Sequence, residues 1–204
     1  MVDSKPQPAP ATARSEWTDA KQTSASPTTP TAQAPPASSP LPKLTPAEFR
    51  IYNRLAEHMD YFHNHFRQTW NTLYSACELS KRPKGMSIRQ FLSLGQEFCH
   101  HLTMHHSIEE VHVFPMLAKK MPAFRKELEL LTQHKQIHKG LDKLEAYLES
   151  CKSGEKELRL DELKEILDGF GEVLWQHLDD EVKELGGENM SKYWTVEEMK
   201  RLVM

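Results

Sequence analysis

The stretch "TPAEFRIYNRLAEHMDYFHNHFRQTWNTLYSAC", residues 45–77, opens on a helix-start signal and then keeps one face apolar along its whole length. Thr45 is placed to N-cap, Pro46 stands at the first helical position, and Glu48 is three residues on, able to reach back in a capping box. Tyr52, Leu55, Met59, Phe62, Phe66, Trp70, Leu73 and Cys77 then recur every three or four residues, the period of one buried helical stripe. The "SKRPKG" segment stops this helix near residue 82.

The same signals repeat downstream. A second helix is expected from Ser87, with Gln90 completing its box and Phe91, Leu94, Phe98 and Leu102 carrying its stripe toward Phe114. Pro122 restarts the chain, and a third stripe runs through Leu131, Ile137, Leu141, Leu144 and Leu148. A fourth, after a polar loop, uses Leu163, Ile166, Phe170, Val173 and Leu174, and "GG" at 186 and 187 is expected to end it as a left-handed cap. "TVEE" from Thr195 suggests a short last helix. No stretch alternates with period two over a strand's length. The reading is an all-α protein, an up-down-up-down four-helix bundle over 45–190 with a short helical extension over 191–204.

Residues 1–44 read differently. They hold nine of the thirteen prolines and a single aromatic residue, Trp17, so they bury too little apolar surface to offset ordering entropy and read as a disordered tail. That tail has no apolar run of signal-peptide length, and no later stretch has the roughly 18 uninterrupted apolar residues of a membrane span. A soluble cytoplasmic protein is the expectation, with no membrane partner. Its net charge of -3 supplies no basic field for nucleic acid. Cys77, Cys99 and Cys151 are odd in number and lack CxxC spacing, which argues against a disulfide framework or a thiolate zinc site.

Histidine is the informative residue: all eleven fall between His58 and His177. Successive helical residues turn by about 100°. That angle sets His63 on the inward face of the first helix and leaves His58 and His65 at the rim. Centred on His105, the second helix turns His101, Glu109 and His112 inward and sends His100, His106 and Glu110 outward. On the third, "HKQIH" puts His134 and His138 one turn apart on the apolar face; on the fourth, "HLDDE" does the same for His177 and Glu181, with Asp180 beside them. Donors one turn apart converge on one ion. So many inward polar groups in an apolar core need partners, and imidazole with carboxylate suits iron or manganese better than structural zinc. His101 and His112 lie a turn beyond the group and suit a supporting or structural role.

The series His63, then "HHSIE" with His105 and Glu109, "HKQIH" with His134 and His138, and "HLDDE" with His177 and Glu181 resembles the hemerythrin-like, HHE cation-binding family over residues 48 to about 190. The resemblance implies a four-helix bundle holding two non-haem iron ions. It gives His134, His138 and His177 to one iron, His63 and His105 to the other, and Glu109 and Glu181 as bridges. Oxygen-carrying members place an aspartate five residues after the last histidine, where this chain has Val182; Glu181, four residues after, resembles the arrangement in iron-sensing members, and Asp180 is the alternative bridge. The function implied is binding or sensing of dioxygen or a related small ligand, or iron handling, rather than catalysis. A di-iron oxidase or peroxidase using the same ligands is the alternative.

Overall fold

A computed structural model describes residues 43–125 and 129–202 of the chain; the tail expected over residues 1–44 falls outside them except for Lys43 and Leu44. Among the described residues there are helices and no strands. The elements are α1 (Pro46–Glu78), α2 (Ile88–Ile108), a π-helical turn (Glu109–Val113), α3 (Phe114–Leu117), a 3-10 turn (Pro122–Phe124), α4 (Glu129–Ser153), α5 (Leu160–Glu184), α6 (Gly187–Met190) and α7 (Val196–Arg201).

Local chemistry sets the starts. Thr45 with Glu48, Ser87 with Gln90 and Thr195 with Glu198 each form a complete capping box, satisfying backbone N–H groups that a helix start leaves without partners. The ends are less regular. α1 stops at Glu78, before the proline-containing loop, and Ser80 turns left-handed (φ 48°) just after it. Gly186 and Gly187 do not form the expected left-handed cap: Leu185 ends α5 in right-handed geometry, and Gly186, at φ -59°, instead caps α6. The left-handed glycines are Gly85 and Gly154, both in loops.

The four long helices meet in a ring, α1 on α2 and α5, α4 on α2 and α5. Their apolar faces form two separate cores. One gathers Trp70, Phe91, Phe98, Leu141, Leu148 and Phe170. The other gathers Leu55, Met59, Phe114, Phe124, Met190 and Met199, so α6 and α7 close the far end of the bundle against α1. Arg54 fixes that closure by donating to the carbonyls of Met199 (2.9 Å) and Leu202 (2.6 Å), which the end of α7 leaves without helical partners. No helix among the described residues is long and apolar enough to cross a membrane. The cysteines are free, and burial pushes the thiols of Cys77 and Cys99 up to about 11 and about 12, which makes them packing residues rather than nucleophiles.

Two glycines give a test of this packing with opposite signs. A Cβ on Gly140 would lie 2.3 Å from Phe170 Cγ and 2.6 Å from Phe170 Cβ, so swinging the ring cannot relieve it. Gly140→Ala should therefore cost about 2 kcal/mol or more in urea unfolding despite alanine's better helix propensity. Gly169, in α5, faces open space, and Gly169→Ala should stabilise by up to about 1 kcal/mol. Equal effects would show that the α4–α5 contact is not as close as described.

Candidate metal centre

Between the two cores lies a layer of polar side chains. His63 comes from α1, His105 and His106 from the last turn of α2, Glu109 and Glu110 from the π turn, Gln133, His134 and His138 from α4, and His177 and Glu181 from α5. His63, His106, His134, His177 and Glu181 are fully buried, and Glu109 is 1% exposed. Two groups of four bring one donor atom per residue within 4.8 Å of each other: His63, His105, Glu109 and Glu181, and His106, Glu109, His134 and His177. Glu109 belongs to both. Its Oε1 lies 2.8 Å from His105 Nε2 and its Oε2 3.5 Å from His134 Nε2, one oxygen toward each group. Glu181 Oε2 is 3.4 Å from His63 Nε2 and 3.7 Å from His177 Nε2.

The surroundings fix which nitrogen of each ring is free. His63 Nδ1 is 3.0 Å from the Leu178 carbonyl, His134 Nδ1 2.8 Å from the Glu110 carboxylate, and His177 Nδ1 3.3 Å from Gln133 Oε1. Gln133 is oriented in turn by its amide, which donates to Asp180 at 3.0 Å. All three partners of the rings only accept, so Nδ1 carries the proton and Nε2 presents a lone pair. Those lone pairs converge: His134 Nε2 and His177 Nε2 stand 3.2 Å apart, and His63 Nε2 faces a carboxylate oxygen. Acceptors facing acceptors in a dry layer need a proton or a metal cation between them. This is the outer-shell arrangement that orients metal-binding histidines.

The orphaned atoms give the same result. Of nine buried side-chain N or O atoms without a hydrogen-bond partner among the described residues, eight belong to His63, His105, His106, Glu109 and Glu181; the ninth is Trp194 Nε1. Each such atom costs roughly 1–3 kcal/mol. His106 is the extreme case, fully buried with neither ring nitrogen partnered, its ring stacked on His134 at 3.9 Å between centroids. The residues present thus fit metal cations with nitrogen and oxygen ligands.

The charge states follow from burial. It holds His105 down at about 4 and His177 at about 3, moves His106 well below and His134 below the ordinary histidine value, and raises Glu109 well above the carboxylate range, with the Glu181 charge adding to the effect. Burial also opposes the Glu181 charge, but His63, His177 and His105 outweigh it and hold that carboxyl low. These shifts fix a pH dependence for the metal-free chain. Below about pH 6.5 the unfolded histidines take up protons that the folded ones do not, so stability falls with acidification by about 1.4 kcal/mol per pH unit for each such histidine. Glu109 acts oppositely, keeping a proton above pH 4.5 that the unfolded chain has released. Four histidines outweigh one carboxyl, so the melting temperature of the metal-free chain should drop steadily between pH 7 and 5. A flat or rising profile would mean that these rings are not held neutral in the fold.

Six of the seven ligands expected from sequence, His63, His105, Glu109, His134, His177 and Glu181, meet in the two groups. His138 lies beside them, half-buried, its ring 5.2 Å from that of His106. Asp180 holds Gln133 instead of facing the donors. His58, His65 and His100 are exposed, as expected of rim residues. Three histidine placements differ. His106, expected to point outward, is fully buried in one group. His101 and His112, expected to point inward, are exposed. His106 went unseen because the helix was centred on His105; Leu92, Cys99 and His106 fall within about 40° of one another, and that seven-residue spacing was the available signal. His112 turns outward for the same reason: Val113, seven residues after His106, continues the buried line and His112 falls about 100° off it, while the Phe114 N–H bonds to the Glu109 carbonyl in a π-type i→i+5 bond that admits one extra residue before α3. The same turn carries Glu110, expected outward, to His134.

The hemerythrin HHE cation binding domain matches residues 54–187. A fungal protein, the dimeric xanthone biosynthesis cluster protein R11 of Cryptosporiopsis sp. (strain 8999), is 27% identical over 151 residues, covering 69% of this chain and 55% of that protein. The chain therefore spans about half the length of this curated relative. No solved structure is matched.

Proposed function

Because the chain belongs to the hemerythrin HHE cation-binding family, we propose that its polar layer is a non-haem di-iron centre held within an up-down-up-down bundle, binding or sensing dioxygen or handling iron. The observation that carries this reading is the set of eight orphaned donor atoms in a dry layer, divided by Glu109 into two groups. His106, His134 and His177 would hold one ion and His63 and His105 the other, with Glu109, one oxygen toward each group, shared between them and Glu181 beside the second group with His177 in reach. His138 is the alternative donor at the His106 position, as the sequence resemblance has it. Nitrogen and oxygen donors without thiolate favour iron or manganese.

Reduced iron pairs supply electrons to dioxygen at an open coordination position. The chain's own residues keep the rings neutral by burial, aim Nε2 through Leu178, Glu110 and Gln133, and exclude water between two apolar cores. We place the protein in the cytoplasm, where three unpaired thiols remain reduced.

The relative's association with a biosynthesis cluster supports a second reading, a di-iron oxidase or peroxidase using the same ligands. Metal analysis with optical spectra of the reduced protein before and after air separates the readings. About two irons per chain and a visible band that disappears on deoxygenation are expected of a binding protein. Steady consumption of oxygen or peroxide would establish the oxidase; zero or one iron would sink both.

A further inference from the structure

Of the seven grouped donors, His105 alone keeps appreciable exposure, its side chain at 11%. Where it faces outward is not bulk surface but a groove of about 860 Å³ between α1 and α2, with Glu109 at its floor beside it. α1 packs far more extensively on α5 than on α2, and the groove lies along that looser seam. The walls are apolar and ring-rich. Phe62 and Phe66 stack against His105 at 5.7 and 5.1 Å between centroids, and Tyr61, Met104 and Ile108 extend the surface outward. Four of the eight large apolar residues exposed among those described, Tyr61, Phe62, Met104 and Ile108, line this one groove. No Lys or Arg lines it, its single acid is the buried Glu109, and its polar lining otherwise comes from His58, His65, His100, His101, Asn64 and Gln68.

We propose that the α1–α2 groove binds an uncharged, largely apolar, ring-bearing molecule whose one polar end lies against the partly exposed His105 ring. Its identity as a substrate or effector port rests on the metal-centre reading; its capacity to bind such a molecule does not. The volume lies in the range of small-molecule sites, about 300–1,000 Å³. An anionic ligand would be desolvated there with no Lys or Arg to pair with, and at pH 8 the histidines of the lining offer hydrogen bonds rather than permanent charge. A polar group at one end finds the edge of His105, the most exposed of the seven grouped residues, while rings find Phe62, Phe66 and Tyr61 for edge or offset stacking.

The test uses 1-naphthol as probe and naphthalene-1-sulfonate as its anionic counterpart. Both are titrated at pH 8 into the full chain, iron-loaded and iron-free, by equilibrium dialysis, with iron measured separately. One saturable 1-naphthol site per chain is expected, with the sulfonate about tenfold weaker. Met104→Arg and Ile108→Arg, at positions about half exposed and so tolerant of the change, should each weaken 1-naphthol at least about tenfold. Leu79→Arg, at an exposed apolar residue outside the groove, should change it less than about twofold. No saturable binding, or equal weakening by all three variants, overturns the proposal. So does a concentration-dependent dimer that Ile108→Arg abolishes, because the groove would then belong to a second copy. Iron-free protein that keeps the variant pattern, with no iron bound under any condition, upholds the groove and sinks the metal reading. Two irons with no 1-naphthol site does the reverse.

Discussion

Glu109→Gln should reduce bound iron from about two ions per chain to less than one, with at least a 100-fold loss of affinity, because losing an outer partner alone costs 10–100-fold. No other side chain belongs to both donor groups, and its two oxygens point to different ones, at 2.8 Å from His105 and 3.5 Å from His134. An amide keeps the volume but offers one weakly basic oxygen and a hydrogen-bearing nitrogen in place of two carboxylate oxygens. The same change should leave the metal-free chain as stable or more stable. Burial and the nearby Glu181 charge already hold Glu109 toward its neutral form, so a neutral isostere removes a strained ionisation. Iron content and urea unfolding of the metal-free protein check the two halves. A variant that retained two irons, or lost stability without metal, would show Glu109 to be a structural residue.

His106→Leu and His138→Leu form the second comparison. His106 is fully buried with both nitrogens unpartnered, whereas His138 is half-buried beside it. The geometry assigns the donor role to His106, so His106→Leu should lose one of two irons and His138→Leu should keep both. Because an apolar side chain removes two unsatisfied nitrogens, the metal-free His106 variant should also gain about 1–3 kcal/mol. Metal content alone decides: loss at position 138 and retention at 106 would restore the ligand set implied by the sequence resemblance.

What the sequence disclosed was local or periodic. The capping boxes at Thr45, Ser87 and Thr195 depend on residues three apart and appear as read. His63, His134, His177 and Glu181 stand out because each interrupts an apolar stripe, and burial of a polar side chain there demands a partner. What stayed hidden depended on phase and on neighbours. His106 needed the true centre of the α2 stripe, which buried Leu92 and Cys99 define and half-exposed Leu94 does not. Phe62 reads as core by spacing, yet it is 40% exposed, since the weak α1–α2 seam leaves it a groove rather than a facing helix. Gly186 and Gly187 looked like a helix stop because glycine permits a left-handed cap, but permission is not requirement, and a following helix uses Gly186 as its first cap instead. The roles of Gln133 and Glu110 depend on pairings 44 and 24 residues away in sequence.

The π turn carries a further consequence, one of length rather than chemistry. It works as a phase shifter in an otherwise continuous rod: upstream of Glu109 the helix is read in one angular frame, downstream of Val113 in another. Deleting exposed Val111, which takes part in neither donor group, would remove the one extra residue that the π turn absorbs and leave ordinary winding with Phe114 and Leu117 still in their core, whereas a residue added to the regular part of α2 would rotate them by about 100°. Most surface positions of a helix accept a change of side chain more readily than a change in count. Here the extra residue is taken up inside a single turn, so the cores on both sides stay in phase while the carboxylates between them are aimed at the centre.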